Sequence, residues 1–120
     1  MSPLNPPNPS PFTTPYALLL TTVSSPEEAQ TLAQILVEER LAACVNYFAV
    51  QSVYHWQGQI QQDREWQLIL KTNLALKPAI EARLRELHSY ELPEFLVIPV
   101  GGGSEAYLNW LGSQLQIPVP

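Results

Sequence analysis

The stretch from Ala43 to Asn73 most constrains what this chain can fold into. It reads as two long strands folded back at Gln57-Gly58. Val45, Tyr47, Val50, Val53, Tyr54 and Trp56 on the first arm, and Trp66, Leu68, Ile69, Leu70 and Thr72 on the second, are β-branched, aromatic and aliphatic types suited to a pleated surface. A Gly-centred bend closes the hairpin. Alternation puts Ser52, Tyr54 and Trp56 on one face and Gln51, Val53 and His55 on the other, so one face is core and the other partly wet. Ala43 to Trp56, fully extended, reaches ~46 Å at about 3.3 Å per residue. A compact domain of this length is roughly 33 Å across. The ribbon therefore bends sharply or overhangs, and an overhang invites pairing with another chain.

The rest of the chain packs on that ribbon. Tyr16 to Val23 is an apolar run that reads as a buried central strand. Ser25-Pro26-Glu27-Glu28 then supplies an N-cap, a proline at the first helical position and a capping-box glutamate. Ala29, Leu32, Ala33 and Leu36 continue one stripe of a helix to about Leu41. After the hairpin, Leu76, Ile80, Leu84 and Leu87 mark a second helix, and Glu94 to Val100 is a short returning strand. Strand-helix-strand twice over is the split β-α-β plan, an α+β ferredoxin-like fold. A last helix from Ser104 to about Leu115 is extra to it. It is placed to cap the open sheet or a neighbour's edge.

With 46% hydrophobic residues, the chain can build one real core. Its apolar runs are far shorter than the roughly twenty residues of a membrane helix. Six Lys and Arg against a net charge of -5 leave no nucleic-acid footprint. Cys44 is the single cysteine, which rules out an internal disulfide and fits the reducing cytoplasm. Residues 1–15 hold six of the twelve prolines and no charge, and are expected to be a disordered tail, as is the short end at 118–120. The folded domain is expected over 16–117.

Several segments resemble one family, the CutA divalent-cation tolerance proteins. Glu38-Glu39-Arg40-Leu41-Ala42-Ala43-Cys44-Val45-Asn46, Ser52-Val53-Tyr54-His55-Trp56-Gln57-Gly58, Leu70-Lys71-Thr72, His88-Ser89-Tyr90-Glu91-Leu92-Pro93-Glu94 and Tyr107-Leu108-Asn109-Trp110-Leu111 are similar to that family's motifs, in the same order. The resemblance implies a tight homotrimer. It also implies a role in the response to metal ions, with copper binding described for bacterial members and acetylcholinesterase anchoring for animal ones. The family's metal-linked histidine falls on His88, with Tyr90 and Glu91 near enough to add oxygen atoms. Ser89 stands where the family commonly has proline, which implies a looser loop. The family's copper site also draws on a first-strand cysteine and a further histidine. Those positions here are Thr21 and Leu87, which implies weak copper or zinc binding.

Each candidate carries a plain alternative. Cys44 is a small buried hydrophobe or a soft-metal ligand. His88 is a helix-end cation or a metal ligand. His55 is expected to be solvent-exposed. Tyr54, Trp56, Glu65, Lys71, Tyr90 and Trp110 are candidates for a cleft between subunits, or else for ordinary interface packing. Gly101 to Gly103 reads as a plain turn, since no Lys-Ser or Lys-Thr pair follows it. No nucleophile-base set or paired-carboxylate motif points to catalysis, and no cofactor is required. The competing assignment is a small-molecule sensor, because the PII signalling proteins are also trimers of ferredoxin-like subunits.

Overall fold

The computed structural model describes residues 13–116. In order they form β1 (Tyr16–Val23), α1 (Pro26–Glu38), β2 (Cys44–Trp56), β3 (Gln59–Asn73), α2 (Lys77–Leu87), β4 (Leu96–Pro99) and α3 (Glu105–Ser113). A single 3-10 turn, Leu74–Leu76, precedes α2. The sheet order is β2-β3-β1-β4 with every neighbouring pair antiparallel. β3 is inserted between β1 and β2, which is the split β-α-β arrangement expected of a ferredoxin-like α+β fold.

The helices cover one face of the sheet, and this decides which residues are buried. Leu19 and Val23 of β1 and Leu68 and Leu70 of β3 meet Leu32 and Leu36 of α1, Ile80 and Leu84 of α2, and Leu111 of α3. β1 therefore alternates rather than being buried on both sides: Ala17, Leu19, Thr21 and Val23 face the helices, while Leu18 and Leu20 are half-exposed behind them. Cross-strand register lines up Leu18 with Ile98, and Leu20 with Leu96 and Ile69, on the open face. Leu96 is 55% exposed, Phe48 47% and Ile98 44%.

The hairpin overhangs. β2 pairs with β3 from Cys44↔Lys71 to Trp56↔Gln59, whereas β1 pairs with β3 only from Tyr16↔Asn73 to Val23↔Trp66. Among the described residues, Gln59 to Glu65 thus has only β2 as a sheet neighbour. At the bend Gln57 has φ 53° and Gly58 φ 79°. Two successive left-handed residues match the right-handed twist of the arms.

Element ends differ from expectation where local hydrogen bonds intervene. α1 stops at Glu38, short of Leu41, because Arg40 turns left-handed (φ 58°) and the Leu41 and Ala42 amides both donate to the Leu36 carbonyl. Ser25 caps α1 by accepting from the Glu28 amide at 3.1 Å, but the Glu28 side chain leaves the capping box for other partners. β4 is shorter than Glu94 to Val100, although the Val100 amide still donates to Tyr16 O at 3.0 Å. Thr14 and Pro15, read as tail, belong to the fold. The Thr14 hydroxyl donates to Val100 O at 2.6 Å, and Pro15 O accepts from the Leu74 amide at 2.8 Å. Of the two expected tails, 1–12 and 118–120 lie outside the described residues.

Thr21 is 1% exposed, and its hydroxyl has no hydrogen-bond partner among the described residues. A buried hydroxyl without a partner loses its hydration for no return. Thr21→Val keeps the shape and removes that cost, so it should raise stability by about 1 kcal/mol. Urea midpoints at fixed protein concentration measure this, and a lower midpoint in the variant would refute it.

Candidate functional site

The overhang and the loop after α2 enclose a cleft of about 800 Å³ on the sheet face opposite the helices. Strand alternation sets one wall. Ser52, Tyr54 and Trp56 of β2 and Glu65 and Gln67 of β3 share that face through the pairs Ser52↔Asp63 and Tyr54↔Gln61. The segment from Ser89 to Glu94 forms the other wall.

The loop is fixed at three points. α2 ends at Leu87, and His88 turns to extended geometry (φ -79°, ψ 138°) while its amide still donates to Leu84 O at 2.8 Å. The His88 ring bridges two backbone groups, with Nε2–H donating to Thr22 O at 2.8 Å and Nδ1 accepting from the Tyr90 amide at 3.0 Å. A carbonyl can only accept and an amide can only donate, so this geometry assigns the proton to Nε2. Both ring nitrogens are then used inside the chain. In this geometry the ring clamps the loop, and either nitrogen would have to release its backbone partner to bind a cation.

The second point is Ser89. Its amide and its hydroxyl both donate to the Glu28 carboxylate, at 3.2 and 3.0 Å. Serine at this position therefore ties the loop to α1, where a looser loop was expected; a proline would supply neither donor. Burial works against the Glu28 charge, but the Ser89 and Ser24 donors outweigh it and hold the carboxyl below its ordinary value of 4.5. The third point is Glu94, which accepts from Gln67 Nε2 at 2.9 Å while the same amide group donates to Thr21 O at 3.0 Å.

The two phenols of the cleft each meet a carboxylate, Glu65 within it and exposed Asp63 outside it. Tyr90 Oη donates to Glu65 Oε2 at 3.0 Å, and Tyr54 Oη donates to Asp63 Oδ2. Burial, together with the Glu65 hydrogen bond and charge, pushes the Tyr90 phenol far above its usual range. The hydrogen bond to Asp63 raises that of Tyr54. Both remain protonated donors near neutral pH. Tyr90 also packs against the His88 ring, with centroids 5.0 Å apart.

The sequence candidates divide into two groups. Tyr54, Trp56, Glu65, Tyr90 and Glu91 line the cleft, Glu91 as an exposed loop residue. Lys71 and Trp110 do not. Lys71 lies six residues along β3 from Glu65, roughly 20 Å at about 3.3 Å per residue. Its Nζ sits 5.8 Å from the centre of the Tyr107 ring, which in turn packs on Trp110 at 5.4 Å. Cys44 pairs with Lys71 at that same distant end and is half-exposed, so it cannot join His88 within one chain. Thr21 and Leu87 pack toward the core on the helix side. His55 is exposed, opposite Ile60. Among the described residues, no three His, Cys, Asp or Glu side chains gather closely enough to hold a metal ion.

Gln67, Glu94, Asp63 and Glu28 were not among the sequence candidates. Alternation from Glu65 would have found Asp63 and Gln67. Glu28 and Glu94 depend on where the loop lands.

The Glu28 contact has a pH signature. Its folded-state pKa lies below the unfolded one, so its contribution is present above about 4.5 and is lost as pH falls through the lower folded value. The Ser89 amide proton resonance should titrate with a midpoint below 4.5, and Glu28→Gln should abolish that titration. A pH-independent Ser89 resonance in the unchanged protein would remove the tether.

The family model of the CutA1 divalent ion tolerance protein matches residues 17–114. The divalent-cation tolerance protein CutA of Thermus thermophilus is 44% identical over 95 residues, covering 78% of this chain and 92% of its own. The chloroplastic protein CutA of Arabidopsis thaliana is 40% identical over 100 residues, 82% of this chain but 55% of its own. Among solved structures, CutA from Synechococcus elongatus superposes with a TM-score of 0.83 at 46% identity, covering 87% of this chain and 94% of that one. The periplasmic divalent cation tolerance protein CutA from Archaeoglobus fulgidus gives 0.82 at 32% identity, covering 84% and 99%. With the family model spanning nearly all the described residues and relatives of this identity matched over most of the chain, the protein belongs to the CutA1 divalent ion tolerance family.

Proposed function

We propose that the protein serves divalent-cation tolerance in the cytoplasm as a homotrimer, by binding rather than catalysis, and that it takes copper and other divalent cations weakly at clefts a neighbouring subunit completes. The observation that carries the assembly is the uncovered sheet face. Leu96, Ile98 and Phe48 stand exposed beside half-buried Leu18, Leu20 and Ile69, an apolar patch whose burial on a second copy is favourable at roughly 25 cal/mol per Å². The overhanging ribbon supports the same reading, because its outer edge offers unpaired backbone groups. Weak metal binding follows from the donors within one chain. His88 is engaged at both nitrogens, and Cys44 lies at the far end of the sheet.

A second reading, a small-molecule sensor, is favoured by the cleft itself. A space of about 800 Å³ suits a small organic ligand better than a bare ion. Thermal shifts separate the two: stabilisation by metals alone supports the first, and stabilisation by nucleotides or metabolites the second.

Sedimentation equilibrium should give three times the chain mass of 13.5 kDa, and Leu96→Asp with Ile98→Asp should dissociate the assembly. A monomer of the unchanged protein at micromolar concentration would refute the trimer. Calorimetry should find no nanomolar copper site, and His88→Ala should leave copper affinity unchanged. A nanomolar site abolished by that substitution would show that His88 gives up its backbone bonds to bind metal.

A further inference from the structure

We propose that the cleft between the hairpin overhang and the 89–94 loop is a binding site for an organic cation, a primary ammonium or guanidinium group carried on an apolar body. The proposal rests on the reading of this cleft as a ligand site, and it adds the chemical class of the ligand.

Charge is the first argument. Among the described residues of one chain, Glu65, Glu91 and Glu94 line the cleft, and no Lys, Arg or His does. The decisive residue is Glu65. It is 8% exposed, yet it forms no ion pair among the described residues. One oxygen accepts the Tyr90 phenol, and the other has no hydrogen-bond partner among the described residues. Its second oxygen stays accessible from the cleft, and the nearly buried carboxylate has one neutral donor and no counter-charge among the described residues. Because Glu65 lines the cleft, a ligand cation can supply it.

Shape and wall chemistry select an organic cation over a metal ion. No three carboxylate, imidazole or thiol groups converge among the described residues, so a bare divalent ion would lack its coordination shell. Glu94 is already engaged with Gln67. About 800 Å³ is space for a molecule of many atoms. Trp56, Tyr54 and Tyr90 supply aromatic rings that attract organic cations, while Val53, Leu92 and Pro93 supply apolar area for the rest of the ligand. Tyr54 and Tyr90 point their hydroxyls at Asp63 and Glu65, so the phenols orient the acidic groups without neutralising them.

The test uses the full-length assembled protein and two probes of near-identical shape, benzylammonium and neutral benzyl alcohol, followed by calorimetry and by Trp56 fluorescence perturbation. Benzylammonium should bind at least tenfold more tightly than benzyl alcohol. Glu65→Gln should lower benzylammonium affinity at least tenfold, with sedimentation confirming that the assembly persists. If that variant fails to fold, Glu94→Gln and Trp56→Leu serve instead, each with an expected loss of severalfold. Equal binding of the two probes, binding indifferent to these substitutions, or no benzylammonium binding at millimolar concentration overturns the proposal. Such a failure is separable from failure of the tolerance reading, because trimer mass and copper affinity are measured without either probe.

Discussion

Unequal strand length is the constraint on which the molecule depends. β3 pairs with β2 from Gln59 to Lys71 but with β1 only from Trp66 to Asn73, the half nearest α2, and the part without β1 overhangs. Had the strands been equal, Tyr54, Trp56 and Glu65 would lie over the centre of a flat sheet. Because they project, the loop leaving α2 can fold around the sheet's end and face them. The cleft is therefore a product of backbone register, and its polar lining is the alternate set of one ribbon.

The loop completes the arrangement through short polar contacts that replace a hydrophobic anchor. Leu92 is exposed and cannot hold the segment. His88 gives one ring to two backbone groups, Ser89 binds across to the first turn of α1, and Glu94 reaches Gln67. This division ties the histidine's ring to the loop's position. A ring whose two nitrogens each meet a main-chain partner must break one of those bonds before it can coordinate, and that loosens the wall of the cleft.

Much of this was legible in the residues. The β-branched and aromatic arms around Gln57-Gly58, the Ser25-Pro26 helix start and the four-residue spacing of Leu76, Ile80 and Leu84 are strong local signals, and each element they mark is present. β1 was misread as buried on both sides because an apolar run does not say how many layers cover it. The site was half legible. Tyr54, Trp56 and Glu65 share a face by counting along two strands, while within one chain Lys71 and Trp110 lie toward the other end of β3. Glu28 was invisible as a site residue, since its value as a capping-box glutamate and as an anchor for Ser89 look alike in sequence.

The central position of β1 bears on how the chain reaches this state. The β2-β3 hairpin can zip from its two-residue turn, each new pair closing a loop scarcely longer than the last, on a timescale of about 1–10 μs. β1 has no such local partner: β3 is separated from it by α1 and β2, and β4 by α1, the entire ribbon and α2. Its insertion beside β3 has to pay a long loop-closure entropy, so the hairpin precedes it and strand insertion sets the rate. During that interval the inner edge of β3 is open, and the transient species most prone to aggregate is a hairpin awaiting its first strand.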